Sequence, residues 1–145
     1  MAATPFEFTQ SGIRSPAARA RSALWTGRVL TSIAVLFLAF DIAIKLTLSS
    51  PAVDATSQLG FASRMVLPLG LIELACLTLY LIPRTSIIGA ILFTGYLGGA
   101  IATHVRLENP LFSHILFPLY IAALLWGGLW LRDARLRTMI SSTRT

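Results

Sequence analysis

Four apolar runs, each long enough to cross a lipid bilayer and each closed by a short polar turn, leave this chain few folds to choose from. They are Leu24 to Leu48, Met65 to Ile82, Ile87 to Val105 and Leu111 to Leu131. About twenty residues rising 1.5 Å each match a hydrocarbon core of about 30 Å. With no water to satisfy an open backbone, such runs must be helices. The charge count agrees: 12% of residues are charged, about half the roughly 25% usual in soluble domains. The apolar content excludes disorder, and the single cysteine, Cys76, excludes a disulfide scaffold. The first run could also be read as a cleavable signal sequence. Against that, its leading arm is long and no clean A-x-A site follows.

The segments between the runs set the order of the chain. Residues 1–23 read as a polar basic cytoplasmic arm, 24–137 as one four-span membrane domain and 138–145 as a cytoplasmic tail. Ser49-Ser50-Pro51 breaks the first helix. The mixed stretch from Ala52 to Arg64 suits a short helix lying at the interface between spans one and two. Pro68 falls in the first turn of span two, where proline is tolerated. Pro83-Arg84-Thr85-Ser86 is a tight turn with Ser86 a candidate N-cap, and Arg106 to Pro110 is a polar turn. The expected fold is therefore an all-α, four-helix transmembrane bundle with up-down topology.

Four spans place both termini on one side. That side carries Arg14, Arg19, Arg21, Arg28, Arg84, Arg132, Arg135, Arg137 and Arg144, against Lys45, Arg64 and Arg106 on the other. The bias predicts cytoplasmic termini. The same distribution argues against nucleic acid as a partner, because the arginines flank apolar runs with no recognition module among them. The expected partner is the bilayer itself.

Ionisable groups inside such spans are costly and point to function. Asp41, Lys45, Glu73, His104 and His114 all fall in the outer half, although they come from four different spans. Asp41 and Lys45 are four apart, acid first, the favourable order for a helical ion pair. The pair reads equally well as a structural contact, with Lys45 reaching outward. Stripes of small and polar residues suggest the inward faces: Gly70, Glu73, Cys76 and Tyr80; Gly95, Gly99 and Thr103, with Tyr96 nearby; Ser113, Tyr120, Ala123 and Gly127. On this reading Asp41, Lys45, Glu73, Tyr80, Tyr96 and Tyr120 surround one interior. Thr103, His104, Arg106 and His114 join a candidate polar site at its outer edge, and Gly70, Gly95, Gly99 and Gly127 serve helix packing. No metal site is expected, since two histidines at helix ends make no ligand set. Trp25, Trp126 and Trp130 read as an aromatic belt. No zinc signature, nucleotide loop or Ser–His–Asp spacing is present, so an enzyme acting on its own is not indicated.

The residues Asp41-x-x-x-Lys45, Leu69-Gly70-Leu71-Ile72-Glu73-Leu74, Ile82-Pro83-Arg84-Thr85, Leu92 to Ala100, Ala102-Thr103-His104-x-Arg106 and Trp126 to Arg137 occur in an order that resembles the DoxX-like integral membrane proteins. The likeness covers roughly Leu24 to Arg137. It implies a four-helix protein of the bacterial cytoplasmic membrane, in a family named after a subunit of a thiosulfate:quinone oxidoreductase. The expected role is accordingly an accessory subunit of a membrane redox complex, with quinone as the candidate cofactor and an oxidoreductase subunit or a second copy as the partner. The alternatives are a proton-coupled or small-solute carrier and a non-catalytic scaffold or assembly factor.

Overall fold

The computed structural model describes residues 16–142, and over them the chain is helical throughout, with no strand among the described residues. Residues 1–15 and 143–145, with Arg14, Arg144 and most of the expected arm, lie outside the described residues. Helix α1 runs Pro16–Leu46, α2 Ser50–Gln58, α3 Val66–Leu81, α4 Ser86–Arg106, α5 Phe117–Arg132 and α6 Ala134–Ser142. A 3₁₀ turn, Ser63–Met65, leads into α3, and a wide π turn, Leu111–Ile115, leads into α5.

Four helical stretches are long and apolar enough to cross a membrane: Ala17–Leu46, Ser63–Leu81, Ser86–Arg106 and Leu111–Arg132. Only 22% to 33% of their most apolar windows is buried inside the chain. Phe40, Leu36, Ile91 and Phe112 are among the large side chains left exposed. Such an apolar exterior requires lipid as its solvent, so this is a multi-pass membrane protein.

The spans form a closed square in which α1 packs on α3 and α5, and α4 packs on the same two. Contacts between residues far apart in sequence fix the directions. Gly70, early in α3, meets Lys45 near the end of α1, and Gly27, early in α1, meets Leu131 near the end of α5. Gly89, in the first turn of α4, lies against the backbone of Tyr80 at the end of α3. Successive spans therefore run up and down. The core between them includes Ala34, Leu38, Leu77, Tyr80, Phe93, Leu97, Leu125 and Leu129.

Local chemistry explains the boundaries. Beyond α1, Leu48 turns left-handed (φ 51°) while Ser49 N–H bonds back to the Ile44 carbonyl at 3.0 Å, closing the helix without the usual glycine. Ser49 is extended and Pro51 stands in the first turn of α2. At α4 the cap is Thr85, not Ser86, and neither makes a side-chain cap: Thr85 Oγ1 donates to the Leu79 carbonyl at 2.8 Å, and Ser86 Oγ to the Pro83 carbonyl at 3.3 Å. Helix α6 is not announced by any residue pattern in the chain. Asp133 precedes it and accepts the Arg135 backbone N–H at 2.9 Å, which caps the helix. Leu136 from α6 enters the core.

Candidate functional site

At the end of the bundle roofed by α2, polar side chains from three spans meet on Lys45. Asp41 lies one helical turn before it, and Lys45 Nζ donates to Asp41 Oδ2. Gly70 makes the next contact possible: a Cβ there would stand 2.9 Å from Lys45 Cβ, so only glycine lets the lysine stem lie against α3. One turn further along α3, Glu73 Oε2 accepts from Lys45 Nζ at 2.7 Å. From α4, Tyr96 accepts a third Lys45 hydrogen bond at its hydroxyl (3.1 Å) and donates its own proton to Glu73 Oε2 (3.1 Å). Glu73 is completely buried.

An inventory of donors and acceptors gives the cluster its chemical character. An ammonium has three protons and a phenol one, and all four are committed within the cluster. Glu73 Oε1, buried with no partner, is left as an acceptor. With all three ionised groups counted, two carboxylates against one ammonium, the group carries a formal charge of −1.

Above the cluster lies a cavity of about 260 Å³. Its walls are mostly apolar: Phe37 and Ile44 from α1, Leu97 and Ala100 from α4, Phe117, Pro118 and Ile121 from α5, with Pro51, Ala52, Ala55 and Thr56 of α2 as the roof. Phe37 and Phe117 meet edge to face at 5.1 Å. Asp41, Lys45, Glu73, Tyr96 and His104 are its polar lining, apart from the roof hydroxyl of Thr56, which donates to the Ala52 carbonyl within α2. Ligand pockets for drug-sized molecules run about 300–1,000 Å³, so this one suits a single ring or a small headgroup.

The remaining predicted site residues take other places. His104 lines the cavity and meets Asn109 Nδ2 through its Nδ1 at 2.9 Å; since an amide nitrogen only donates, the proton of neutral His104 sits on Nε2. His114, in the π turn, packs its ring 5.6 Å from His104 and bonds Ser113, while remaining exposed. Arg106 is a clasp, donating to the Leu59 carbonyl at 3.0 Å and so holding the end of α2 to α4. Thr103 bonds the Gly99 carbonyl within its own helix and lines an outward groove with Gly95, Gly99, Leu59 and Phe61. Among the described residues no group of three His, Cys, Asp or Glu gathers to hold a metal.

Of the three tyrosines expected around the interior, Tyr80 is in the core and Tyr96 in the cluster, while Tyr120 is not. Tyr80 is buried toward the far end, its hydroxyl donating to the Leu125 carbonyl at 2.8 Å, and Tyr120 is exposed. The glycines also sort differently. Gly70 is in close contact and a Cβ at Gly127 would meet Leu30 at 3.8 Å, whereas one at Gly95 or Gly99 would meet nothing within 4 Å. The tight approaches between α1 and α5 instead use Gly27 and Gly128. Sequence reasoning also missed the roof of α2 and the Phe37–Phe117 wall. The i, i+4 spacing of Ala52 and Thr56, both buried, was the available signal for the first.

Trp25 and Trp130 are exposed at the α6 end, while Trp126 is partly withdrawn to donate to Thr94 Oγ1 at 2.9 Å. A model of the DoxX-like family matches residues 29–128, which include the whole carboxylate cluster. No curated protein and no solved structure matches the chain.

Proposed function

The chain belongs to the DoxX-like family, and on that premise we propose that it is an accessory subunit of a redox complex in the bacterial cytoplasmic membrane. Its termini lie in the cytoplasm and its cavity opens in the outer half of the bilayer. In this reading the cavity takes the headgroup of a lipid-soluble quinol. The observation that carries it is the acceptor-only floor: Glu73 Oε1 is buried without a partner while every proton of Lys45 and Tyr96 is engaged. Buried acceptors call for a donor. A quinol brings two hydroxyl donors and two-electron chemistry, whereas a quinone brings only carbonyl oxygens. The apolar walls and aromatic pair accept the ring, and the cavity's size leaves the isoprenoid tail in the bilayer. The open small-residue face of α4 at Gly95 and Gly99 gives a partner's helix room for close approach.

The test is a titration of the purified protein with a short-tailed quinol and the matching quinone, with Glu73→Gln alongside. Saturable quinol binding that weakens in Glu73→Gln supports the reading. Absence of binding by either form refutes it.

The formal charge of −1 favours one alternative, a proton-coupled or small-solute carrier, since one proton or one monocation neutralises the cluster. Ion flux into proteoliposomes above that of empty vesicles, lost in Glu73→Gln, would support the carrier over the redox subunit.

A further inference from the structure

The opposite end of the bundle holds a second pocket, of about 360 Å³, where the start of α1, the α3–α4 turn, the end of α5 and the start of α6 converge. Arg28, Arg132 and Arg135 line it with Asp133, against apolar Leu24 and Leu129. Three guanidinium groups and one carboxylate give a formal charge of +2, and the one carboxylate is already engaged. Asp133 accepts from the Arg135 backbone and guanidinium, the closest ion-pair distance being 3.3 Å. Arg135 also donates to the Pro83 carbonyl. Arg28 lies over the Trp25 ring at 5.6 Å.

Arg132 is the decisive group. Its guanidinium rests 5.0 Å over the Tyr80 ring, and its Nε and Nη2 atoms are buried with no hydrogen-bond partner. Tyr80 is fixed by its bond to the Leu125 carbonyl, so the arginine has a rigid platform. Two desolvated N–H groups on one planar cation, with the neighbouring acid occupied, lack an anionic acceptor of bidentate shape.

We propose that this pocket binds the phosphate of an anionic phospholipid, with Arg132 as the principal ligand and Arg28 as the second. Guanidinium groups match phosphate oxygens in pairs, and basic pockets between membrane helices on the cytoplasmic side hold anionic headgroups. The surroundings favour a lipid as the source of the phosphate. Leu24, 41% exposed, lines the α1 side of the pocket, and Trp25, 60% exposed, stands beside it under Arg28, leaving an apolar path for an acyl chain. Trp25 and Trp130 mark this end as headgroup level. The site is independent of the quinol cavity and of the family role.

Native mass spectrometry of the full chain in detergent, with phosphatidylglycerol, phosphatidylcholine or inorganic phosphate added, tests the assignment. Phosphatidylglycerol should be retained about ten-fold more strongly than phosphatidylcholine, and inorganic phosphate should compete only weakly, as expected if basic contacts and an apolar wall both contribute. Arg132→Gln and Arg28→Gln should each weaken phosphatidylglycerol retention about five-fold. Arg137→Gln should leave it unchanged, because Arg137 is engaged with the Trp130 and Leu131 carbonyls outside the pocket. Arg28 is exposed, so its variant remains informative if Arg132→Gln fails to fold. Equal retention of the two lipids, or equal retention by the Arg28 and Arg137 variants, overturns the proposal. Inorganic phosphate binding as tightly as phosphatidylglycerol overturns the lipid as its source.

Discussion

Lys45 Nζ lies 2.7 Å from Glu73 Oε2, an ion pair that ties α1 to α3 with its glutamate fully buried. The Lys45 side chain keeps 15% of its surface exposed and the Glu73 side chain 1%. The lysine is therefore the edge of the cluster and the glutamate its floor. Removing the partner of a buried charge is far more damaging than removing both. Among the described residues Lys45 is the one lysine or arginine that lines the cavity; Lys45→Met leaves Asp41 and Glu73 uncompensated, at an expected cost of about 3–5 kcal/mol. The double variant Lys45→Met/Glu73→Gln should recover more than half of that loss. Thermal melts in detergent read both. Equal melting of the single and double variants would show that charge is not what binds these helices together.

The glycines give a contrast that needs no ligand. A Cβ at Gly89 would stand 2.3 Å from the Tyr80 backbone nitrogen and 2.6 Å from its Cα, so the α3–α4 turn must open to admit it. A Cβ at Gly128 would stand 2.4 Å from Thr31 Oγ1 and 3.0 Å from the Thr31 backbone nitrogen. Gly89→Ala and Gly128→Ala should each destabilise by about 1–3 kcal/mol or more. Gly99→Ala meets nothing within 4 Å and should be neutral or gain up to about 1 kcal/mol from helix propensity. Melting temperatures of the three variants decide the matter, and a loss at Gly99 as large as that at Gly89 would show that another chain covers α4.

These glycines also mark where the sequence stops being informative. The four spans were legible because a bilayer demands long apolar runs, and polar turns between them are short. The Asp41–Lys45 pair was legible because both lie on one helix at a fixed spacing, and the shared depth of Glu73 followed from the topology. Rotation was legible for α3, whose stripe of Gly70, Glu73, Cys76 and Tyr80 is buried, but not for α4 and α5. In lipid the outward face is as apolar as the core, so α5 carries little hydrophobic gradient to mark Tyr120 as outward-facing. Face arithmetic orders residues around one helix and says nothing of which neighbour they meet, which is why Gly95 and Gly99 were assigned to packing that Gly27 and Gly128 perform. Short α6 was hard for a different reason: nine residues hold too few apolar positions for a clear period, whereas α2 was legible as an interfacial helix and only its place as a roof was not.

Acid should loosen α6 first. Burial alone would raise the Asp133 carboxyl, but the backbone and guanidinium donors of Arg135 outweigh it and hold the group below the ordinary 3.8. A carboxyl with a lowered folded value stabilises the fold above the ordinary value and loses that contribution as pH falls through the lowered one. The cap is therefore intact at neutral pH and fails only below about 4. Asp133→Asn should remove that acid-side dependence while keeping most of the cap, since asparagine also caps. Proteolysis of the C-terminal helix followed between pH 6 and pH 3 measures it, and identical profiles for both proteins would refute the assignment.

The proposed orientation can be read from two exposed turns at opposite ends of the bundle. Arg84 lies in the α3–α4 turn beside the pocket of arginines, and Glu108 lies beyond α4, near His104 and His114. Both side chains are exposed. The native Cys76 is buried, and replacing it with serine leaves a background free of thiols. In that background, Glu108→Cys should react with an impermeant maleimide on intact cells, and Arg84→Cys only after lysis. The physical basis is the arginine excess at the Arg84 end, which resists translocation. The reverse pattern would put the cavity over Glu73 in the cytoplasmic half and the arginine pocket in the outer leaflet. Labelling of both positions from outside would mean that the number of crossings between them is even, and that α4 does not span.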